Sequence, residues 1–217
     1  MPELIIKKNN DEDILQILYM AKKSAPLGGQ QWNFTEPYVF PKSSVDILTQ
    51  KETNKLTDMY KVLYPGLQHT VIPMSCQRCN VLYFGNEVFG CWNSRYTRSS
   101  YIMAYWNSIG GQIVTETGTG DLTPGIVQKY IIHNLIVNGE SRIHFLAKVH
   151  WLSPLASRYR HYCGSPVEAW DNTVFEAFGP SAFMPVQRIY CRYLTAEGRV
   201  LGKHVTFICP LNKGLNI

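Results

Sequence analysis

The chain of 217 residues is short of charged side chains, at 17%, against 45% hydrophobic ones. That balance excludes a chain disordered throughout, because such chains are polar and highly charged. No apolar run approaches the roughly 18 residues of a membrane helix, so neither a spanning segment nor a membrane partner is expected. The Leu4-Ile5-Ile6 run stops at Lys7-Lys8, too short for the core of a secretory signal. Catalytic signatures are missing as well. There is no Gly-x-Ser-x-Gly elbow to expose a serine nucleophile, and no His-Glu-x-x-His to set two metal ligands on one helix face. The stretch from Gly198 to Lys203 lacks the spacing and the hydroxyl of a phosphate loop. The six histidines are scattered. No reaction is legible, and the chain reads as a binder more than as an enzyme.

Arginine is absent from the first 70 residues, where eight lysines and eight acids cancel. Residues 71–217 hold nine arginines and four lysines against eight acids, so the whole net charge of +5 lies there. Guanidinium suits bidentate contact with carboxylate or phosphate. The bias fits an acidic partner, nucleic acid included, although an ordinary solubilising surface has the same composition.

Two halves differ in local pattern. Residues 11–24 read as a helix, capped by Asp11 and striped by Ile14, Leu15, Ile17, Leu18 and Ala21. Residues 25–50 are punctuated by proline and glycine, and a second helix over 51–63 is stopped by Pro65-Gly66. After Pro73 short β-type runs take over: Val81–Phe84, Ser100–Trp106, Gln112–Thr115, Val174–Phe178, Met184–Leu194 and Val200–Cys209. The clearest unit is a hairpin, Ile126–Val137 and Arg142–Leu152 about Asn138-Gly139, since both turn residues tolerate positive φ. In its return strand Ile143, Phe145, Ala147, Val149 and Trp151 share one face, and His144, Lys148 and His150 the other. That alternation predicts a half-buried antiparallel strand. The expected architecture is mainly β, a barrel or compact sandwich. A helical segment with an irregular linker (1–70) precedes a β-rich module (71–217).

The six cysteines, with no secretory signal, are expected as reduced thiols, and Cys191 and Cys209 as small core residues. Cys76-x-x-Cys79 can supply half of a tetrahedral zinc site. Two further ligands are needed, from Cys91, His69, Cys163 or His161. Paired structural thiols are the plain alternative, and no cofactor other than zinc is expected.

The stretch Phe145-Leu146-Ala147-Lys148-Val149-His150-Trp151, then Thr173-Val174-Phe175-Glu176-Ala177, then Phe183-Met184-Pro185-Val186-Gln187-Arg188-Ile189-Tyr190-Cys191-Arg192-Tyr193, resembles the bromo-adjacent homology (BAH) module. That family has a strand ending in Val-x-Trp, a Val-Phe element and a Pro-Val-x-x-Ile strand. Gly125–Tyr130 would be the strand before them, and the likeness covers roughly residues 120–210. The aromatic that usually follows the tryptophan is missing, for Leu152, Ser153 and Pro154 stand there. The resemblance implies a small distorted β-barrel without catalysis, reading a histone-like tail or another partner at chromatin. More loosely, Tyr64-Pro65, Phe84-Gly85, Ser94-Arg95, Arg98 to Ile102, Ala104 and Trp106 look like proteins encoded near eukaryotic transposable elements. That likeness implies a nuclear setting, with the cytoplasm as the alternative.

Two sets of residues are candidates for binding. In readers that resemble this fold, a tryptophan placed as Trp151 helps to enclose a methylated lysine, with Trp170, Asp171, Tyr159 and Tyr162 as possible companions. Trp151 also falls on the face that reads as core. Arg158-Tyr159-Arg160-His161-Tyr162 interleaves cations and rings, a pattern that neutralises phosphates and stacks on bases, or clamps an acidic peptide, or lies folded on the barrel. Arg95 and Arg98 extend that set, as do Arg188 and Arg192 on one strand face. The competing reading is nucleic-acid processing in a mobile-element protein. It needs acids such as Glu116, Asp121, Glu168, Asp171 and Glu176 to converge.

Overall fold

The computed structural model describes residues 38–67, 70–84, 87–107, 113, 122–177 and 179–211. The helix expected over 11–24 and most of the strand expected over Gln112–Thr115 lie outside them. The chain runs through β1 (Tyr38–Val39), β2 (Ser43–Ile47), α1 (Gln50–Leu63), β3 (Ser75–Cys79), β4 (Val81–Phe84) and β5 (Glu87–Gly90). Then come β6 (Tyr101–Ala104), β7 (Thr123–Val137), β8 (Glu140–Leu152), the one-turn α2 (Ser157–Arg160), β9 (Glu168–Asp171) and β10 (Val174–Glu176). Last are β11 (Phe183–Pro185), β12 (Ile189–Val200) and β13 (Lys203–Pro210). The fold is mainly β. Among the described residues no helix is long and apolar enough to cross a membrane.

Ten strands form one antiparallel sheet, in the order β10-β8-β7-β6-β12-β13-β9, with β11 on β8 and β2-β3 on β7; β1, β4 and β5 form a small second sheet. The expected closed barrel is not found, since β9 bonds β13, β10 bonds β8, and the two do not pair with each other. They are consecutive in the chain, so the sheet curls until both its ends meet one segment, 168–176. Inside that curl Met103, Ile126, Leu152, Trp170, Cys191, Tyr193 and Ile208 are buried together.

The β7–β8 hairpin is the spine. Its turn uses Asn138 at φ 53° and Gly139 at φ 82°. Val127 pairs with Val149 but Lys129 with Lys148, so Gln128 is the extra residue of a β-bulge. The bulge sets Lys129 directly opposite Lys148, a like-charge pair that needs neutralising. Gly125 pairs with Trp151, and a Cβ there would lie 2.5 Å from Val149 Cγ1 and 2.9 Å from Trp151 Cε3. Gly125→Ala is therefore expected to lower stability by about 2 kcal/mol through overpacking, seen as a lower urea midpoint with an unchanged slope.

The return strand is not half-buried, as its alternation predicts. The face carrying His144, Lys148 and His150 is covered by α1. Tyr64 Oη lies 2.8 Å from His144 Nε2, and Lys148 Nζ 3.1 Å from Glu52 Oε1. Leu56, Met59 and Tyr60 of α1 belong to the same buried cluster as Tyr130, Leu146 and Val149. Helix and strands share one core.

Candidate functional site

Trp151 is fully buried, and its indole N–H donates to the Ser181 carbonyl at 2.9 Å. Trp106 is pinned the same way to the Phe183 carbonyl at 2.8 Å. Both tryptophans lock the 180–183 segment onto the sheet. With no ring face open, Trp151 sits where the core alternative puts it and forms no wall of a methyl-lysine cage in this conformation.

The 158–162 set is brought beside Trp170, and it is partly consumed there. Trp170 is buried and donates its indole N–H to Glu168 Oε2 at 2.9 Å. Arg160 Nε donates to the same oxygen at 2.9 Å, with its guanidinium 4.5 Å from the Trp170 ring centroid. A carboxylate and an aromatic face thus hold Arg160 from two sides. Arg158 is exposed, lies 4.7 Å over the Tyr159 ring and donates to its hydroxyl at 3.0 Å. Tyr162 is exposed. Asp171 pairs with Lys203 at 3.2 Å and accepts from the Thr173 amide.

Arg95 and Arg98 belong to a different surface, the turn between β5 and β6. Arg188 and Arg192 do not share a strand face as expected, because Arg188 is buried in the 3₁₀ turn Val186–Arg188 that precedes β12. Arg192 instead reaches back to this second turn, with Nη1 3.5 Å from Ser99 Oγ. The turn is tied by its own hydroxyls. Ser94 Oγ donates to the Cys91 carbonyl at 2.8 Å and accepts from the amides of Cys91 and Tyr96. Thr97 Oγ1 lies 2.8 Å from the Trp92 carbonyl oxygen and 2.6 Å from that of Ser94. Ser100 Oγ donates to the Thr97 carbonyl, and the Trp92 amide to the Val127 carbonyl of β7 at 2.8 Å. Gly90 permits the fold-back, because a Cβ there would collide with the Tyr96 backbone. On the outside stand Arg95, stacked 4.8 Å over Tyr96, exposed Arg98, and Trp92 with 42% of its surface open. Trp92 and Tyr96 are the site residues that sequence reading missed. Their signal is the same as at 158–162, cations interleaved with rings over 92–98.

Most of the ion pairs gather around α1. Lys51, Lys55 and Lys148 pair with Glu176, at 3.1, 2.8 and 3.2 Å. Lys129 and Lys148 pair with Glu52, both at 3.1 Å, and Lys129 also with Asp46. This network ties α1 to the sheet. Burial alone would raise the Glu52 carboxyl, but hydrogen bonds from Lys129, the Thr49 amide and Lys148 bring it down to about 2. Lys55, before the other lysines, does the same for Glu176. By contrast, among the described residues Arg95, Arg98, Arg158, Arg192 and Arg199 have no carboxylate within ion-pair distance.

Of the acids expected to converge, Glu168 is bonded to Arg160 and Trp170, Asp171 to Lys203, and Glu176 to three lysines. Among the described residues no three His, Cys, Asp or Glu side chains gather as metal ligands; Glu116 and Asp121 lie outside them. Cys76 and Cys79 are buried on β3; burial first, then Asp46 for Cys76 and the Cys76 thiol for Cys79, pushes each up to about 11. Cys91 is pushed up by burial to about 12. The described structure joins the two thiols to no further pair of ligands, and His69 lies outside it. Both thiols belong to the main buried cluster, packed as small core residues. Comparison with family models, with curated proteins and with solved structures finds no match for this chain.

Proposed function

We propose that this chain is a non-catalytic interaction module that binds nucleic acid, a BAH-like β module in a nuclear, transposon-related setting. The observation that carries the reading is the set of five arginines left without carboxylates among the described residues, while Lys51, Lys55, Lys129 and Lys148 are held on Glu52 and Glu176. A guanidinium has five donors. In Arg95 and Arg158 the described contacts use one, to a neighbouring tyrosine hydroxyl. The remaining donors and the charge are open to phosphates. Burial of Trp151 favours this reading over capture of a methylated lysine, which needs open aromatic faces.

Fluorescence anisotropy with a labelled oligonucleotide at two salt concentrations tests it. Affinity is expected to fall steeply with salt, by about 0.7–0.9 in log–log slope per phosphate neutralised. The Arg95→Ala/Arg98→Ala variant is expected to bind about tenfold more weakly, with the slope reduced by about 1 per arginine. Absence of saturable binding at low salt, or tighter binding of a methyl-lysine peptide than of any oligonucleotide, defeats the proposal.

A further inference from the structure

We infer that the β5–β6 turn is a stacking platform for an unpaired base, which makes the ligand single-stranded. The inference rests on the nucleic-acid reading and narrows it to one face and one class of strand. The first observation is the support under Trp92. Its ring meets Tyr101 edge-on at 6.0 Å between centroids, and Tyr101 meets Tyr193 at 5.5 Å. Tyr193 is buried in the inner core. Trp92, a residue 42% exposed, is therefore braced from behind by two further rings.

The second observation is rigidity. Ser94, Thr97 and Ser100 satisfy the turn from within, and the Trp92 amide anchors it to β7. A platform ordered before binding loses little conformational entropy when a base lands on it. The third is the charge around it. Arg95, Arg98 and Arg192 flank the turn with no carboxylate partner among the described residues, and Arg192 Nε is buried without a hydrogen bond. Ring and guanidinium together follow a single strand, one taking the base and the others its phosphates.

The shape argues against a duplex. The major groove is shaped to take a helix or a two-stranded ribbon. The turn offers only the three-residue 3₁₀ segment Thr97–Ser99 and the loop before it. A base already stacked inside a duplex presents no face to Trp92.

The experiment compares labelled oligothymidylate, the same strand annealed to oligodeoxyadenylate, and a single strand whose bases have been removed, with wild type, Trp92→Leu and Trp92→Phe. Circular dichroism confirms that each variant is folded. Wild type is expected to bind oligothymidylate more tightly than the duplex. Leucine keeps apolar bulk without a π-face, so Trp92→Leu is expected to lose roughly tenfold on oligothymidylate with an unchanged salt slope, and nothing on the abasic strand. Trp92→Phe keeps most of the affinity. Wild-type affinity for oligothymidylate in Trp92→Leu, or a preference for the duplex, overturns the stacking inference and leaves the nucleic-acid reading standing. If none of the three probes binds saturably at low salt, both fall together.

Discussion

Glu52→Ala is expected to lower the unfolding free energy by about 3 kcal/mol, toward the range seen when one partner of a buried ion pair is removed. At roughly 2–4 °C per kcal/mol for a chain of this size, the melting temperature should fall by roughly 6–12 °C. Three losses coincide at this residue. Glu52 closes a capping box: its backbone N–H donates to Thr49 Oγ1 at 3.3 Å, and its carboxylate accepts from the Thr49 amide at 3.1 Å. That contribution is about 1 kcal/mol. Its Oε1 also lies 3.1 Å from both Lys129 and Lys148, the pair that the bulge at Gln128 sets face to face. Without it two ammonium groups oppose each other under α1, with Asp46 and Glu176 as their remaining partners. Glu52→Gln keeps the capping geometry and loses the charge, so it should cost about half as much. In a Lys129→Met/Lys148→Met background Glu52→Ala should cost only about 1 kcal/mol, since only the cap is left to lose. Equal costs in both backgrounds would show that the carboxylate does not neutralise the lysines.

The hairpin was legible because its chemistry is local. Asn138-Gly139 can take two positive φ angles in a row, and the alternation on either side sets the register. The β12–β13 hairpin was not, because its turn is Leu201-Gly202, with a leucine at φ 49° where sequence patterns do not expect one. The helix over 50–63 was legible from its apolar stripe, and its start was also written in Thr49 and Glu52. What covers the polar face of β8 was not legible. His144, Lys148 and His150 look like a solvent face until α1 brings Tyr64, Glu52 and their neighbours onto it. A period-two pattern reports polarity, and buried polar groups with partners have the same signature as solvated ones. Trp151 shows the converse. Its place on the apolar face of β8 already marked it as core, and the BAH likeness alone suggested a ligand. Arg95 and Arg98 were picked out by residue type. That their charge is left open while Arg160 is closed onto Glu168 depends on pairings between strands and turns, which no local window contains.

Stability should also fall with acid, and the first step should lie between pH 6.5 and pH 4. His144 sits between α1 and the hairpin. Tyr64 and Tyr60 of the helix are on one side, and His133 and Arg142 of the strands on the other. Burial, before the neighbouring charge of His133, brings its imidazole down from 6.5 to about 4. His133 is lowered too, chiefly by burial. Its Nε2–H donates to the Pro73 carbonyl at 2.9 Å, so Nδ1 is the atom that accepts from Tyr60 Oη at 2.8 Å. A proton on Nδ1 would reverse that bond and leave the buried Tyr60 hydroxyl hydrogen without its acceptor. The folded state therefore holds both rings neutral while the unfolded chain takes up protons below pH 6.5. The unfolded state binds more protons in that window, so stability rises with pH across it and is lost as pH falls. From the His144 shift alone the loss is about 3 kcal/mol, at about 1.4 kcal/mol per pH unit, and it is complete near pH 4. Glu52 and Glu176 act in the next window. Each is held down to about 2, so the stability they add is present above 4.5 and is lost as pH falls toward 2. Urea midpoints are expected to be flat between about pH 7 and 8, to drop between 6.5 and 4, and to drop again below 4.5. His144→Gln removes one titrating ring. It should be less stable than wild type at pH 7 and show a shallower fall between 6.5 and 4, with the step below 4.5 intact. An unchanged slope in that variant would place the acid sensitivity outside the contact between α1 and the hairpin.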